Sequence, residues 1–189
     1  MLSTDSGLEN SQVAFTGEFF NKGTAIAPWG LWLSSSNLIK QIASFPTSVG
    51  GLIVSKTDHK AQEDALRIKW TKADKDQVRI NSVSPIDMSR QSNAAMELTF
   101  FAKSFTEKDT IIQIGMCSEG ASCDKTIDIN INGDWKEYRI SLSCFDNLGV
   151  DMSKINTGFL ITAGNGTEIG LSNIRLESDI DAKPGCDGK

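Results

Sequence analysis

The sequence predicts an all-β protein, an antiparallel β-sandwich or jelly roll of about ten short strands. Apolar and polar residues alternate along many short segments, most clearly from Met96 to Lys103, where Met96, Leu98, Phe100 and Ala102 share one face. Turn residues recur between these segments at regular spacing. No segment has the apolar spacing of a convincing amphipathic helix. These patterns favour short strands paired in packed sheets.

In the first half of the chain, alternation predicts strands within 13–20, 25–33, 51–55, 66–70 and 78–81. A turn at 21–23, a charged loop at 56–64 and a turn at 72–76 separate them. Because the last of these turns is short, it predicts that 66–70 and 78–81 form a hairpin.

In the second half, strands are expected at 96–103, 111–116, 127–131, 138–142, 159–163 and 169–176. Similar Asp-Met-Ser turns at 87–89 and 151–153 precede two of these strands. Asp or Ser can accept backbone N–H groups there and close one helical turn before the chain becomes extended, which is a common way to enter a strand. The alternative is that the two related loops shape one rim of the sandwich. We therefore expect one sandwich domain at 13–178, a mobile lead-in at 1–12 and a loose tail at 179–189.

The net charge of −5 argues against nucleic acid or an anionic membrane as partner, because both favour a basic surface. No apolar run is long enough to span a bilayer, so membrane insertion is not expected. The first ten residues lack the basic and apolar regions of a signal peptide. If the chain is a module excised from a longer protein, this says little about the parent protein.

The four cysteines offer two pairings. Cys117 and Cys123 bracket a short Gly-containing loop that can close as a local disulfide, which suits an oxidising compartment. Zinc is the alternative, but no second Cys pair or His at suitable spacing supports it. Cys144 is placed at a strand end, and a bridge from it to Cys186 in the tail is left open.

No catalytic motif stands out. There is no Gly-X-Ser-X-Gly turn, no Gly-X-Gly-X-X-Gly phosphate loop, and His59 is the only histidine. The carboxylates lie in turns and loops, where solvated carboxylates are normal. The chain is therefore expected to be a binding module and not an enzyme, with a free-standing hydrolase as the least favoured alternative.

A sugar-binding module uses aromatic faces to stack on sugar C–H groups and polar side chains to bind hydroxyl groups. Trp29 and Trp70 fall in register with apolar neighbours and are expected in the core, although Trp70 is kept as a second candidate ligand contact. Trp135 is expected to be a structural plug. Trp32 falls on the opposite face from Trp29 and is the best candidate for an exposed platform.

Polar side chains at positions away from the core are candidate hydroxyl-binding groups. If their strands share one sheet, four of them would form the floor of a groove: Arg67, Lys69, Gln113 and Arg139. An ordinary solvated sheet face is the alternative. The 58–62 loop is a further candidate ligand site through Asp58, His59 and Gln62.

A structural calcium ion is a separate hypothesis. Hard oxygen ligands are available from Asp58, Glu63, Asp64, Asp87 and Asn173. No loop has the spacing of an EF-hand, and turn carboxylates commonly cap backbone N–H groups instead.

Four segments together resemble a known family: residues 58–70 (DHKAQEDALRIKW), 78–100, 133–153 and the closing LSNIRLE at 171–177. Their order is similar to that in the galactose-binding-like module of ExoP type that ends many family-three glycoside hydrolases. The resemblance extends from about Pro28 onward. It implies a non-catalytic β-jelly roll appended to a β-glucan hydrolase, and a Cys pair around a Gly-rich loop, as at Cys117 and Cys123.

From this resemblance we expect a module that holds a β-glucan, β-1,3-linked as in laminarin, near a linked glycoside hydrolase domain. The alternative is a structural domain that braces the catalytic domains without binding sugar. The resemblance also implies a bacterial location that is secreted, periplasmic or attached to the outer envelope. The chain departs from the family pattern in lacking a catalytic domain and in placing Trp32 where no fixed aromatic is expected.

Overall fold

The computed structural model describes residues 15–36, 38–106, 108–178 and 185–188. Within these ranges the chain forms fourteen strands and two short helices. The strands are β1 (Glu18–Asn21), β2 (Thr24–Ala25), β3 (Trp29–Ser35), β4 (Leu38–Gln41), β5 (Thr47–Val49), β6 (Leu52–Thr57), β7 (Ala65–Trp70), β8 (Gln77–Ile86), β9 (Met96–Ser104), β10 (Thr110–Ser118), β11 (Thr126–Ile131), β12 (Lys136–Ser141), β13 (Ile155–Ala163) and β14 (Glu168–Ser178). The helices are α1 (Ser89–Asn93) and α2 (Leu142–Asn147). The predicted lead-in at 1–12 lies outside the described residues.

The strands form two antiparallel sheets. The first sheet has the order β12-β9-β14-β7-β6-β5, with β1 paired to β14 and β2 paired to β1. The second sheet has the order β11-β10-β13-β8-β3-β4. The predicted antiparallel β-sandwich is confirmed. The strand count exceeds the expected one because the short strands β2, β4 and β5 lie where the sequence shows no clear alternation.

The core lies between the sheets and is built from the alternating apolar positions. Phe100 of β9 in the first sheet meets Phe159 of β13 in the second, with ring centroids 5.5 Å apart in a T-shaped arrangement. Trp29 packs on Phe19 with ring centroids 4.9 Å apart, and both are buried. Trp70 is only 1% exposed, so the expected core role of Trp29 and Trp70 is confirmed.

The predicted hairpin between 66–70 and 78–81 is wrong. β7 pairs with β6 and β14 in the first sheet, whereas β8 pairs with β13 and β3 in the second. The connection at 71–76 therefore carries the chain from one sheet to the other. A short turn between two alternating segments does not distinguish a hairpin from such a crossing, because both need the same turn residues.

The structure contains two short helices. Helix α1 follows Asp87, where a helical turn is expected before the strand, whereas the sequence pattern does not predict α2. Helix α1 has no buried residue, whereas α2 buries Leu142, Cys144 and Phe145. Ser141 precedes α2, and its hydroxyl oxygen accepts a hydrogen bond from the backbone N–H of Ser143 at 3.4 Å. Cys144 consequently lies in a helix and not at a strand end.

Both cysteine pairs are disulfide-bonded in the structure. The predicted Cys117–Cys123 bridge is present, and Cys144 is bonded to Cys186. Within the predicted tail, residues 185–188 are described, and the backbone N–H of Ser141 donates to the Gly185 carbonyl oxygen at 3.4 Å. This part of the tail is therefore attached to the sandwich at the start of α2.

The two Asp-Met-Ser turns lie side by side. The carboxylate of Asp87 accepts the Ser89 backbone N–H at 2.9 Å, and that of Asp151 accepts the Ser153 N–H at 3.0 Å. The Met88 backbone N–H donates to the carbonyl of the equivalent residue in the second turn, Met152, at 2.7 Å. The turns serve as strand entries, as expected, and they also close the same rim of the sandwich.

No described helix is long and apolar enough to cross a membrane.

Candidate functional site

The outer face of the second sheet carries a continuous cross-strand row of residues. Residues paired across antiparallel strands have side chains on the same face. Trp32 of β3 pairs with Gln41 of β4 and with Arg79 of β8, and Arg79 pairs with Leu160 of β13. Leu160 pairs in turn with Gly115 of β10. We call these five residues the outer row.

The disulfide-closed loop between β10 and β11 covers one end of the outer row. A Cβ atom on Gly115 would lie 2.5 Å from the Lys125 carbonyl oxygen, so the loop backbone passes close over the sheet there. Leu160 is fully buried although it faces away from the core between the sheets. The amide of Gln77 donates to the Cys123 carbonyl oxygen at 3.0 Å. The loop therefore forms a wall beside the open part of the row.

Arg79 lies between this wall and Trp32. Its Nε–H donates to Gln77 Oε1 at 2.7 Å, and Gln77 in turn bonds the loop. Partial burial lowers the pKa of the Arg79 guanidinium from its usual value, because a low-dielectric environment disfavours the charged form. Among the described residues, no carboxylate lies within ion-pair distance of Arg79.

The other end of the row opens toward a groove. Gly30 lies beside Trp32, and a Cβ atom on it would be 2.8 Å from Gln41 Nε2 and 3.4 Å from Trp32 Nε1. The amide and the indole N–H thus converge over a position without a side chain. A groove of about 280 Å³ begins at Gly30 and Gln41 and continues to Phe20 and Phe45.

The outer face of the first sheet is filled by its own side chains. Arg139 contacts carboxylates of Glu97, Glu137 and Glu177 at 2.9–3.3 Å, and Arg175 contacts two of the same three. Burial alone would raise the pKa of Glu137, but hydrogen bonds from the two arginines outweigh it and lower the pKa. These charges compensate one another within the face.

An aromatic cluster covers the middle of the same face. Trp135 lies over Gly170, whose Cβ would be 2.6 Å from Trp135 Cη2. His59 packs against Trp135 with ring centroids 4.3 Å apart, and against Phe101 at 4.7 Å. Trp135 is therefore a plug over the sheet, as the sequence suggested, and His59 is stacked within the cluster.

The 58–64 loop is organised by its own carboxylates. Asp58 accepts the Glu63 backbone N–H at 2.6 Å, and Asp64 accepts the successive backbone N–H groups of residues 59–61 at 2.7–3.0 Å. Burial would raise the pKa of Asp64, but these three hydrogen bonds outweigh it and lower the pKa. Gln62 is exposed and lines a groove of about 400 Å³ together with His59.

The structure divides the predicted ligand contacts between two opposite faces. Trp32 and Gln113 lie on the outer face of the second sheet, where Gln113 donates to Asp128 at 3.1 Å. Arg67, Lys69 and Arg139 belong to the first sheet, and the 58–62 loop lies on that side. Arg67 is paired with Glu168 at 2.6 Å. The predicted shared floor of Arg67, Lys69, Gln113 and Arg139 is therefore wrong.

Trp70 is also removed from the candidate site. Its indole N–H donates to the Asp76 backbone carbonyl at 2.9 Å, and its ring is buried between the sheets, so the prediction that it contacts a ligand is corrected.

For the calcium hypothesis, no three His, Cys, Asp or Glu side chains converge as a metal site within the described ranges. Asp58, Asp64 and Asp87 each use a carboxylate oxygen to hold backbone N–H groups.

Arg79, Gln77 and Gln41 are functional candidates that the sequence analysis did not single out. The alternation of Gln77, Arg79 and Asn81 with buried Val78 and Ile80 was available as a signal. It marks these side chains as facing outward but does not place them beside Trp32, because the pairing of β8 with β3 depends on strand order.

Comparison with known proteins agrees with this fold. The family model Exop_C, described as galactose-binding domain-like, matches residues 27–176. The extra C-terminal domain of exo-1,3/1,4-beta-glucanase (ExoP) from a Pseudoalteromonas species is similar with a TM-score of 0.68 at 15% identity, and the match covers 92% of this chain and 100% of that one. The chain spans only 22% of the longer exo-1,3/1,4-beta-glucanase chain from the same source.

A family 30 carbohydrate-binding module of a cellulosomal cellulase of Clostridium thermocellum is similar with a TM-score of 0.61 at 14% identity, over 87% of this chain and 98% of that one. An exo-beta-agarase is similar over 73% of this chain and 24% of its own, with a TM-score of 0.57 at 14% identity. No curated protein sequence matches this chain. Because the family model covers most of the sandwich, the chain belongs to the Exop_C family of galactose-binding domain-like modules.

Proposed function

We propose that this module is a non-catalytic carbohydrate-binding module that holds a β-glucan on the outer face of its second sheet. The observation that carries the proposal is the pairing of partly exposed Trp32 with Arg79 and Gln41 across three adjacent strands. An indole face can stack on the C–H face of a sugar ring. The flanking amide and guanidinium groups can hydrogen-bond its hydroxyl groups.

The contrast between the two outer faces supports this choice of face. On the first sheet, Arg139 and Arg175 already bind glutamates and Trp135 already lies on Gly170. On the second sheet, the hydrogen-bond partner that the described residues give Arg79 is the neutral Gln77, and Trp32 lies beside a groove that begins at Gly30 and Gln41. Unused hydrogen-bond donors next to an aromatic ring are what a sugar ligand requires.

The relatives suggest the glycan class and the setting. The ExoP protein is an exo-1,3/1,4-beta-glucanase, and other similar modules belong to a cellulase. We infer a β-glucan ligand, with β-1,3-linked laminarin as the first candidate, and a linked glycoside hydrolase domain. Holding the glucan near that domain raises its effective concentration. Two disulfides fit a secreted, periplasmic or envelope-attached location.

A bracing domain is the second candidate function. Leu38 and Ile39 on the edge strand β4 are 52% and 54% exposed. Exposed aliphatic side chains on an edge strand would suit packing against a catalytic partner. In that case the isolated module would bind no glycan.

Affinity electrophoresis of the isolated module in gels containing laminarin, mixed-linkage glucan, a cellulose derivative or agarose separates these candidates. Retardation by a glucan that is lost in Trp32→Ala supports the proposal. Trp135→Ala is the matched control, because it removes a tryptophan from the opposite face. Retardation lost in Trp135→Ala instead would move the site to the first sheet. No retardation in any gel would overturn sugar binding for these ligands and favour the bracing domain.

A further inference from the structure

Arg79 differs from the other partly buried arginines in the described part of the chain. Arg139 and Arg175 each contact at least two glutamates. Arg79 is also partly buried, yet no described carboxylate lies within 4.0 Å of it. Within the described ranges its side chain has one hydrogen-bond partner, Gln77, which is neutral. A desolvated positive charge without a negative partner is unfavourable, so an anion placed there would be bound with less competition from water.

Gln77 holds Arg79 in a defined position without neutralising it. Gln77 Oε1 accepts the Arg79 Nε–H at 2.7 Å while Gln77 Nε2 donates to the Cys123 carbonyl at 3.0 Å. A carboxylate at residue 77 could not make the second hydrogen bond, because it has no donor. The disulfide-closed loop and the Arg79 side chain are thus linked through one amide, whose two ends are both used.

Three carboxylates on or beside this face already have hydrogen-bond partners of their own. Asp124, in the disulfide-closed loop, accepts the Ser122 hydroxyl at 2.9 Å. Asp128 lies on β11, three strands from β8 in the second sheet, and accepts a hydrogen bond from Gln113 at 3.1 Å. Asp76 precedes β8, but its carboxylate accepts the Gly51 backbone N–H at 2.6 Å and it is 2% exposed. Arg79, which no described carboxylate pairs, is therefore the cross-strand neighbour of Trp32, and a sugar stacked on the indole could direct a substituent toward the guanidinium.

We propose that Arg79 is a receptor for an anionic group on the glycan, a sulfate ester or a carboxylate, and that Gln77 is its positioning residue. The inference rests on the proposed stacking of a glycan on Trp32 and adds the chemical class of its substituent. A planar guanidinium can donate two parallel hydrogen bonds to either anion. The net charge of −5 works against non-specific binding of polyanions, so any preference for them has to come from a local site.

The test compares three polymers with the same backbone: laminarin, sulfated laminarin and carboxymethylated laminarin, measured by calorimetry at low ionic strength. We expect the wild-type module to bind at least one anionic polymer roughly tenfold more tightly than laminarin, as for one charge-assisted contact. Arg79→Gln should abolish this preference. Gln77→Glu should also reduce the preference for the anionic polymer, to about threefold or less, because a carboxylate beside Arg79 would neutralise the guanidinium charge.

Ile111→Glu is the matched control for Gln77→Glu. Ile111 is 61% exposed on the same outer face, paired with Asn130, and lies on β10, two strands from β8. A glutamate at this position adds the same charge to the face without touching Arg79. It should change the preference for anionic over neutral laminarin by less than about twofold. Thermal unfolding of each variant shows whether it is folded.

The outcomes separate this inference from the proposed function. Equal binding of the neutral and anionic polymers, lost in Trp32→Ala, would overturn the anion receptor and leave the glucan-binding module in place. An anion preference unchanged in Gln77→Glu or equally reduced in Ile111→Glu would overturn the role of Arg79 and Gln77. Binding of no polymer would overturn both.

Discussion

The indole N–H of Trp70 donates a hydrogen bond to the backbone carbonyl of Asp76 at 2.9 Å, and this carbonyl also accepts the Thr162 hydroxyl at 2.8 Å. Trp70 belongs to the first sheet and Thr162 to the second. One carbonyl in the connection between β7 and β8 therefore joins both sheets. The tryptophan that alternation placed next to the core thus has a structural polar contact as well as an apolar one.

Replacing this tryptophan tests its structural role. Trp70→Phe removes the N–H donor and leaves a cavity beside the Asp76 carbonyl, so we expect unfolding to require about 2–3 kcal/mol less free energy. Urea denaturation followed by far-UV circular dichroism measures the change. Glycan affinity should stay within about twofold of wild type, because the ring is buried away from the outer row. A large loss of affinity with little loss of stability would contradict the assignment.

The sequence predicted the direction of side chains better than their neighbours. Alternation placed Leu98 and Phe100 in the core and Trp32 on the opposite face from Trp29, and the structure agrees. It could not predict that Gln113 and Arg139 lie in different sheets, because a strand's partners depend on contacts distant in sequence. The prediction that four polar residues form the floor of one groove was wrong for this reason.

Arg79 was missed for a related reason. In the sequence it alternates with apolar residues like Arg67 and Arg139, and all three have the same outward direction. What distinguishes Arg79 is that β8 lies beside β3 and β13, so that Trp32 and Leu160 flank it and no described glutamate reaches it. Charge compensation is a property of the packed sheet, and composition alone does not reveal it.

Gly30 allows a prediction about the open end of the outer row. Gly30→Ala would place a Cβ 2.8 Å from Gln41 Nε2, so the amide must move away from the Trp32 indole N–H. We expect glycan affinity to fall about threefold or more, since a hydrogen-bonding group is displaced. Stability should change by less than about 1 kcal/mol, because the displaced atom ends an exposed side chain. Calorimetry and thermal unfolding measure the two effects.

Gly133→Ala is the control for that substitution. Gly133 lies in the turn before β12, and a Cβ atom there would meet no atom within 4 Å. It should leave glycan affinity unchanged. If both alanine variants weakened binding equally, the effect would not come from Gln41.

The two disulfides should differ in their contribution to stability. Cys117 and Cys123 are separated by 6 residues, and Cys144 and Cys186 by 42. Chain-entropy arguments give about 2 kcal/mol for the short loop and about 4 kcal/mol for the long one. Urea denaturation of the two double Cys→Ser variants should therefore show a larger loss for Cys144 and Cys186. The opposite order would indicate that residues 185–188 contribute little to the folded state.

His59 makes the stability of the module depend on pH. Burial lowers the pKa of His59 most strongly, Lys60 lowers it further, and Asp64 opposes them by raising it. Because the folded-state pKa lies below the unfolded value, about 6.5, the neutral ring is favoured in the folded protein. The stability that the neutral His59 ring contributes is fully present above its pKa in the unfolded state and is lost as the pH falls through its pKa in the folded state.

Thermal unfolding measured from about pH 8 to about pH 5 should therefore show a melting temperature that declines below about pH 6.5. His59→Phe keeps a ring between Trp135 and Phe101 but removes the titrating group, so its melting temperature should decline less over the same range. Asp64→Asn is a useful comparison, because it removes the neighbouring charge that favours protonated His59. It should steepen the part of the decline that His59 causes. If His59→Phe and wild type declined in parallel, the pH dependence would arise elsewhere in the domain.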